Sequence, residues 1–497
     1  MILEKFKKST HSGTFVVPPD KSLHGELTLA GSKTALYLQD EDYFELRGVP
    51  SLCVKGVLHD LTRVTLIDCI SSGTGSATRG AEGYYFSTLF PHFAVFGDSH
   101  ISPNENVITA VHFLIDDAAT LFYDFDAFGH VIDARPFIEQ IAHANAFNRE
   151  IKTGPDPRIL YFTGKSEIFQ TDTIFGKVSA SHCPTFNLGG PAGVYLKNRI
   201  ITSVVFEEGV DFSEAIFRAS TLVRYFGMLV GRPQNLLDLR VSLESNSDGP
   251  RLLGVYWSMP PKRKKSDEVS KPHCSDVLLD PIRKPQEFSN VLRRWLDRQK
   301  DWTGARFRFF NSFGRQRHYD IDRLIGAANM FDVLPDSAVP PDLELTQELN
   351  AARSAASELF SGLPESPERD SILSALGRVG KSSLKQKIRY RAMALIDIAG
   401  SRFPELSWVL GEAVNCRNYY VHGTRPRFDY DRNFDAVTFF TDTLEFVFAT
   451  SDLIEAGWDI NAQLSTGTSM SHPFRRYPFT YLPSLGLLKR LLPRALG

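Results

Sequence analysis

The chain has 497 residues, 42% hydrophobic and 23% charged, close to globular averages, which excludes a largely disordered chain and suggests two to four domains. A formal net charge of −2 gives no global attraction to polyanions, so any nucleic-acid contact has to come from local patches.

From about residue 24 to 130 the chain runs in short β-branched and aromatic segments: GELTLAG, TALYL, SLCVKGVLHD, RVTLIDCI, GYYFSTLF and FAVFGD. Turn residues separate them, as in the antiparallel sheets of a sandwich or barrel. A helix is expected over 133–151. Strand patterns resume with RILYFTG, EIFQTDTIFGKVSA, AGVYL and RIITSVVFEE. Helical spacing of Ile216, Leu222, Val223, Phe226 and Leu229 predicts a helix over 211–233, stopped by Gly231 and Pro233. Two more strands, LLDLRVSL and RLLGVYWSM, follow. Residues 1–317 are therefore read as an antiparallel β-rich body, with a subdomain break near 150–160 left open.

PPKRKKSDEVSKPH (260–273) reads as a polar loop whose Lys262, Arg263, Lys264 and Lys265 are solvated. Between 282 and 318, ten basic residues face three acidic ones. Arg293, Arg294, Arg306 and Arg308 alternate there with Trp295, Trp302, Phe307 and Phe309. Phosphates take charge and unpaired bases stack on rings, so this stretch is a candidate RNA surface. An amphipathic helix plus a strand with a solvated face accounts for it equally well.

From 318 the pattern becomes helical, with helices expected at 319–334, 342–361, 367–379, 383–399, 404–422 and 432–457. A run of helices after a run of strands makes an α+β multidomain protein. AVTFFTDTLEFVFATSDLI carries Asp442, Glu445 and Asp452, so it is read as a core helix and not a membrane span. The basic tail, 461–497, is expected to pack back through Leu487, Leu488, Leu491 and Leu492.

Five scattered cysteines without CxxC spacing read as reduced thiols of a cytoplasmic protein. The opening MILEKFKKSTHSG has no apolar core of a secretory signal. The neighbouring pairs His182-Cys183 and His273-Cys274 make poor zinc chelates, so no metal or other cofactor is expected.

The richest chemistry lies in NCRNYYVHGT, 415–424. Leu406, Val409, Leu410, Ala413, Cys416 and Tyr420 share the core face of one helix, and Gly423 is placed to end it. His422 then occupies the last turn, where the helix dipole favours an imidazolium if that end is not otherwise compensated. Five positions turn a side chain by about 500°, roughly 140° net, so Arg417 and His422 do not share a face of a regular helix. Their convergence is expected to need a distorted helix end or a facing partner. Cleaving RNA without a metal requires a proton carrier, which His422 supplies, and stabilisation of a charged phosphorane, which the Arg417 guanidinium supplies. Asn418 can support either, and Tyr419 or Tyr420 can stack on a base. The competing interpretation is a polar helix end, with Arg417 paired to a carboxylate such as Glu412 and His422 capping carbonyls.

Arg417-Asn418-Tyr419-Tyr420-Val421-His422 resembles R-N-x-x-x-H, the signature of the HEPN superfamily of helical ribonucleases. With GELTLAG, LYL, VKGVLHD, RVTLIDC and HFLIDDAATLFYDFDAFG upstream, the chain most resembles the ApeA-type anti-phage defence proteins, a β-rich region followed by a C-terminal HEPN domain. That resemblance implies an all-α HEPN-like bundle over 318–460, catalytic Arg417 and His422 supported by Asn418, and a homodimer through the HEPN domain. It further implies metal-independent RNA cleavage by 2'-OH attack, leaving a 2',3'-cyclic phosphate and a 5'-OH. The implied setting is abortive infection, with tRNA as candidate target and a phage-derived trigger of unknown nature. Two alternatives stand beside it. One is a catalytically inactive HEPN-like module for dimerisation and RNA or nucleotide binding. The other is a hydrolase in the β-rich body built on Asp116, Asp117, Asp124 and Asp126.

Overall fold

The computed structural model describes residues 9–46, 48, 52–79, 82–143, 152–187, 189–191, 193–246, 249–260, 271–342 and 344–492. The lysine-rich loop segment 261–270 and the expected helix end 144–151 lie outside them.

Period-two alternation builds the first barrel strands. β1 (Thr10–Val17) buries Phe15 and Val17, and β2 (Lys21–Thr28), β3 (Ala35–Asp40) and β4 (Leu52–Leu58) alternate similarly. With β5 (Arg63–Arg79) and β6 (Glu82–Gly97) they close an antiparallel barrel in the order β6-β3-β2-β1-β4-β5, where β5 pairs back onto β6. Phe15, Leu27, Leu38, Val54, Leu66 and Phe96 are among the side chains that fill it. The Phe15 ring needs small neighbours, since a Cβ on Gly56 would stand 2.4 Å from its Cδ1.

The expected strands GYYFSTLF and FAVFGD are one strand, β6, despite Pro91. β6 pairs with β3 over Tyr85–Leu89 and with β16 (Gly249–Trp257) over Phe93–Phe96. Pro91 sits at the change of partner, where its missing N–H interrupts neither ladder. Beyond β6 the sheet continues through β16 and β15 (Leu236–Asn246) to β7 (Ile108–Ile115). It ends with β14 (Ile200–Val210), β11 (Gly176–His182) and β10 (Glu167–Thr173). Because β7 pairs with both β14 and β15, segments on either side of 150–160 share one sheet, and no subdomain break falls there. Two small hairpins lie off it, β8 (Phe128–Ile132) with β9 (Arg158–Phe162) and β12 (Thr185–Phe186) with β13 (Leu196–Lys197). The short α1 (Ala118–Leu121) and α2 (Arg135–His143) lie in the β region. α3 (Phe212–Val230) packs on β7, β14 and β15, capped by the Asp211 side chain and by left-handed Gly231.

The chain divides into Met1–Ser266 with Pro272–Ser289 and, separately, Asp267–Lys271 with Asn290–Gly497. The expected boundary at 317/318 is therefore too late, because the stretch assigned to the β-rich body holds two helices, α4 (Pro285–Asp297) and α5 (Gln299–Phe313). The expected helices are α6 (Ile321–Asn329), α7 (Gln347–Ser361), α8 (Pro367–Gly377), α9 (Leu384–Ala399), α10 (Leu406–His422) and α11 (Phe434–Glu455). α11 is buried along most of its length and is the axis on which α5, α6, α9, α10 and α13 (Pro473–Leu491) pack. α12 (Ile460–Ser465) and α13 form the basic tail, which buries Phe474, Tyr477, Tyr481, Leu485 and Leu488. α7 and α8 pack against each other and bury none of their residues. No helix among the described residues is long and apolar enough to cross a membrane.

Candidate active site at the end of α10

α10 places its apolar residues as its spacing requires. Leu406, Val409, Leu410, Ala413 and Cys416 are buried, whereas Tyr420 is half-buried. The helix ends regularly at His422, with Gly423 left-handed at φ 65° and its N–H donating to Tyr419 O at 3.0 Å.

On that regular end the Arg417 and His422 side chains meet: Arg417 Nη1 stands 2.9 Å from His422 Nε2. Of the two expected conditions the distorted helix end is not met, whereas a facing partner is present: α6 packs on α10 and its Asn329 Oδ1 takes Arg417 Nη2 at 2.9 Å. Five residues separate their Cα atoms by about 7.5 Å along the axis, and the long arginine side chain spans both that rise and the turn. A guanidinium only donates, so Nε2 is the acceptor, and His422 in this contact is a neutral imidazole protonated at Nδ1.

Arg417 is held from three directions. Nη1 also donates to Asn418 Oδ1 at 3.1 Å, and Nη2 donates to Asn329 Oδ1 at 2.9 Å. The Asp332 carboxylate lies 3.8 Å from Nη2. Asn329 ends α6 and Asp332 lies in the turn after it. Sequence reasoning missed both, since their link to the motif is a helix contact across 88 residues and leaves no local pattern.

Glu412 is not the partner of Arg417. It is buried, accepts from Asn415 Nδ2 at 3.2 Å and faces Arg427 Nε at 3.5 Å, which ties the segment after the motif back to α10. Tyr419 and Tyr420 pack edge-to-face at 4.9 Å and gather with Tyr430, which itself meets Phe428 at 4.6 Å. The Tyr420 hydroxyl donates to Asp431 at 2.9 Å. Burial, and then Asp431, pushes the Tyr420 phenol above its ordinary range. Burial, reinforced by Asp431, lifts the Cys416 thiol to about 12, and burial, reinforced by Cys416, lifts the Tyr430 phenol to about 12. None of the three can serve as a base near neutral pH.

The basic–aromatic stretch is not one surface. Arg306 is buried, with Nε 2.9 Å and Nη2 3.0 Å from the Asp452 carboxylate, Nη1 2.9 Å from Trp295 O, and its guanidinium 3.7 Å from the Trp295 ring centre. It cannot present its charge to RNA. Trp295, Trp302 and Phe309 are core residues, so the aromatic spacing reports helix packing. Arg293, Arg294 and Arg308 are exposed on α4 and α5.

Three of the four candidate carboxylates of the β-rich region are engaged by partners within the fold. Asp117 is buried against Arg232, 2.6 Å from Nη2 and 2.7 Å from Nε, and accepts from Gln234 at 2.8 Å. Asp116 accepts from Asn235 N–H at 2.8 Å, and Asp124 from Asp126 N–H at 3.0 Å. Among the described residues no cluster of His, Cys, Asp and Glu is arranged to hold a metal.

Comparison with known families matches residues 10–295 to ApeA N-terminal domain 1 and residues 325–461 to the Apea-like HEPN domain. No curated protein and no solved structure matches.

Proposed function

Because the chain belongs to the ApeA-type HEPN proteins, we propose that it is a metal-independent RNA endonuclease of anti-phage abortive-infection defence, with tRNA as substrate. The observation that carries this is the 2.9 Å contact of Arg417 with His422, flanked by Asn418 and Asn329 on the exposed end of α10. When a phosphodiester enters, Arg417 Nη1 exchanges His422 Nε2 for a phosphate oxygen while Asn329 keeps Nη2, which releases the His422 Nε2 lone pair. That lone pair takes the proton of the ribose 2'-OH, the 2'-oxygen attacks phosphorus as the bond to the 5'-oxygen breaks, the 5'-oxygen takes a proton from water, and the His422 imidazolium returns its proton to solvent. The products are a 2',3'-cyclic phosphate and a 5'-OH. General acid–base help of this kind contributes about 10²–10⁴-fold. Two copies paired through the helical unit supply two such sites, and the β-rich region responds to a phage-derived trigger.

One feature favours the alternative of a non-cleaving RNA-binding module, namely that Arg417 already occupies the His422 lone pair. Arg417→Ala and His422→Ala decide between them. Both variants are expected to keep the fold and oligomeric state of the wild type and to lose cleavage of total tRNA on a denaturing gel. Wild-type cleavage by His422→Ala removes the mechanism, and tight tRNA binding without cleavage by the wild type supports the alternative.

A further inference from the structure

We propose that Asn329 is a positioning residue of this site, a claim that rests on the ribonuclease reading above for its kinetic consequence but not for its geometry. Arg417 has a rigid planar guanidinium, so whatever fixes Nη2 also fixes Nη1. Asn329 Oδ1 takes the Nη2 donor at 2.9 Å, and Nη1 is thereby directed at His422 Nε2 and Asn418 Oδ1.

The acceptor stands on a locked backbone. On either side of Asn329, Ala327, Ala328, Met330 and Phe331 are fully buried, and α6 packs on both α10 and α11. The following turn is closed by Asp332 N–H donating to Asn329 O at 3.2 Å, and Lys387 of α9 donates to Asp332 O at 3.0 Å. A side chain carried this way can hold a long arginine within the narrow tolerance that a reacting phosphate demands.

The residue type is informative as well. An amide oxygen orients the guanidinium without cancelling its charge, which leaves the full cation for the phosphate. A carboxylate at the same place would orient it equally well and would also compete for it as an ion-pair partner. Asp332 is such a carboxylate, but it stands farther off, at 3.8 Å, and is exposed.

Two substitutions in the full-length protein separate positioning from mere structure. Asn329→Ala should lower kcat on tRNA on the order of 10²-fold with KM nearly unchanged, since binding survives while the fork is misplaced. Asn329→Asp should keep kcat near the wild-type value and raise KM. Thermal melts of both should match the wild type. A crystal structure of Asn329→Ala should show the Arg417 guanidinium displaced from His422. The proposal is overturned by a wild-type kcat in Asn329→Ala. It is equally overturned by an equal loss in both variants with a lowered melt, or by Arg417 staying in place in the crystal. Arg417→Ala run alongside keeps the two claims apart. If it cleaves like the wild type, the ribonuclease reading fails, and the crystal structure still decides whether Asn329 positions Arg417.

Discussion

Arg417 and Arg306 show why a guanidinium has to be placed before it is given a role. Arg417 lies on a helix end beside an exposed histidine, held at hydrogen-bond distance by neutral amide oxygens, with the Asp332 carboxylate farther off at 3.8 Å. Arg306 is sealed with Asp452, which also receives the Trp295 indole N–H at 2.8 Å and Arg298 at 2.8 Å. Burial alone would raise the Asp452 carboxyl, but Arg306, followed by Arg298, outweighs it and holds the carboxyl below its ordinary range. A depressed carboxylate adds stability above its unfolded pKa of about 3.9 that is lost as pH falls through the folded value. Arg306→Met should therefore destabilise the helical unit by about 3–5 kcal/mol, the usual cost of removing one partner of a buried ion pair. Thermal or urea unfolding at neutral pH measures it, and a change under 1 kcal/mol would contradict the buried-pair account. Arg293→Ala or Arg308→Ala, at exposed positions, should change stability by no more than about 0.5 kcal/mol.

At the scale of elements, α11 supplies the counter-charges that the 282–318 stretch lacks locally. Asp452 and Glu455 receive Arg298, Arg306 and Arg391, and Glu445 receives Arg323 Nη2 at 2.8 Å together with the Ser312 hydroxyl at 2.6 Å. Arg298 and Arg306 of that stretch are neutralised once the fold brings α11 alongside, while Arg293, Arg294 and Arg308 stay exposed, which is why charge counting along the sequence overstated the RNA surface. Asp442 on the same helix behaves in the opposite sense. Burial lifts its carboxyl to about 6, although the Tyr319 hydroxyl donates to it at 2.6 Å. Between about pH 4 and 6 the folded state thus binds more protons than the unfolded state, and stability falls as pH rises through that window. Asp442→Asn keeps an acceptor for Tyr319 and removes the charge. Its melting temperature should exceed that of the wild type at pH 7 and converge with it near pH 4, and a constant offset at both pH values would rule out this role. In the β-rich region, Gly56→Ala should lower stability by about 1–3 kcal/mol, because the new methyl meets the Phe15 ring. A neutral effect in the unfolding transition of that region would contradict the barrel packing.

The whole molecule joins an antiparallel β region to a helical HEPN region, and both parts were legible where pattern is local. Alternation marks the barrel strands, and helical spacing with Gly423 marks α10 almost to the residue. The motif itself was readable because Arg417, Asn418 and His422 are close neighbours in sequence. Illegible were the features made by distance. The return pairing of β5 onto β6 closes the barrel, Asp452 of α11 takes Arg306 of α5, and Asn329 reaches Arg417 from another helix. The early boundary was missed because the core spacing of Trp295, Trp302 and Phe309 is interleaved with arginines and imitates a nucleic-acid surface. The proposed reaction is RNA cleavage by 2'-OH attack with His422 and Arg417 and without a metal ion. Incubating the purified, activated protein with total tRNA in excess EDTA and mapping the fragment ends tests it most directly. The wild type should give 2',3'-cyclic phosphate and 5'-OH ends and His422→Ala should leave tRNA intact, whereas cleavage abolished by EDTA, or 5'-phosphate ends, would rule the reaction out.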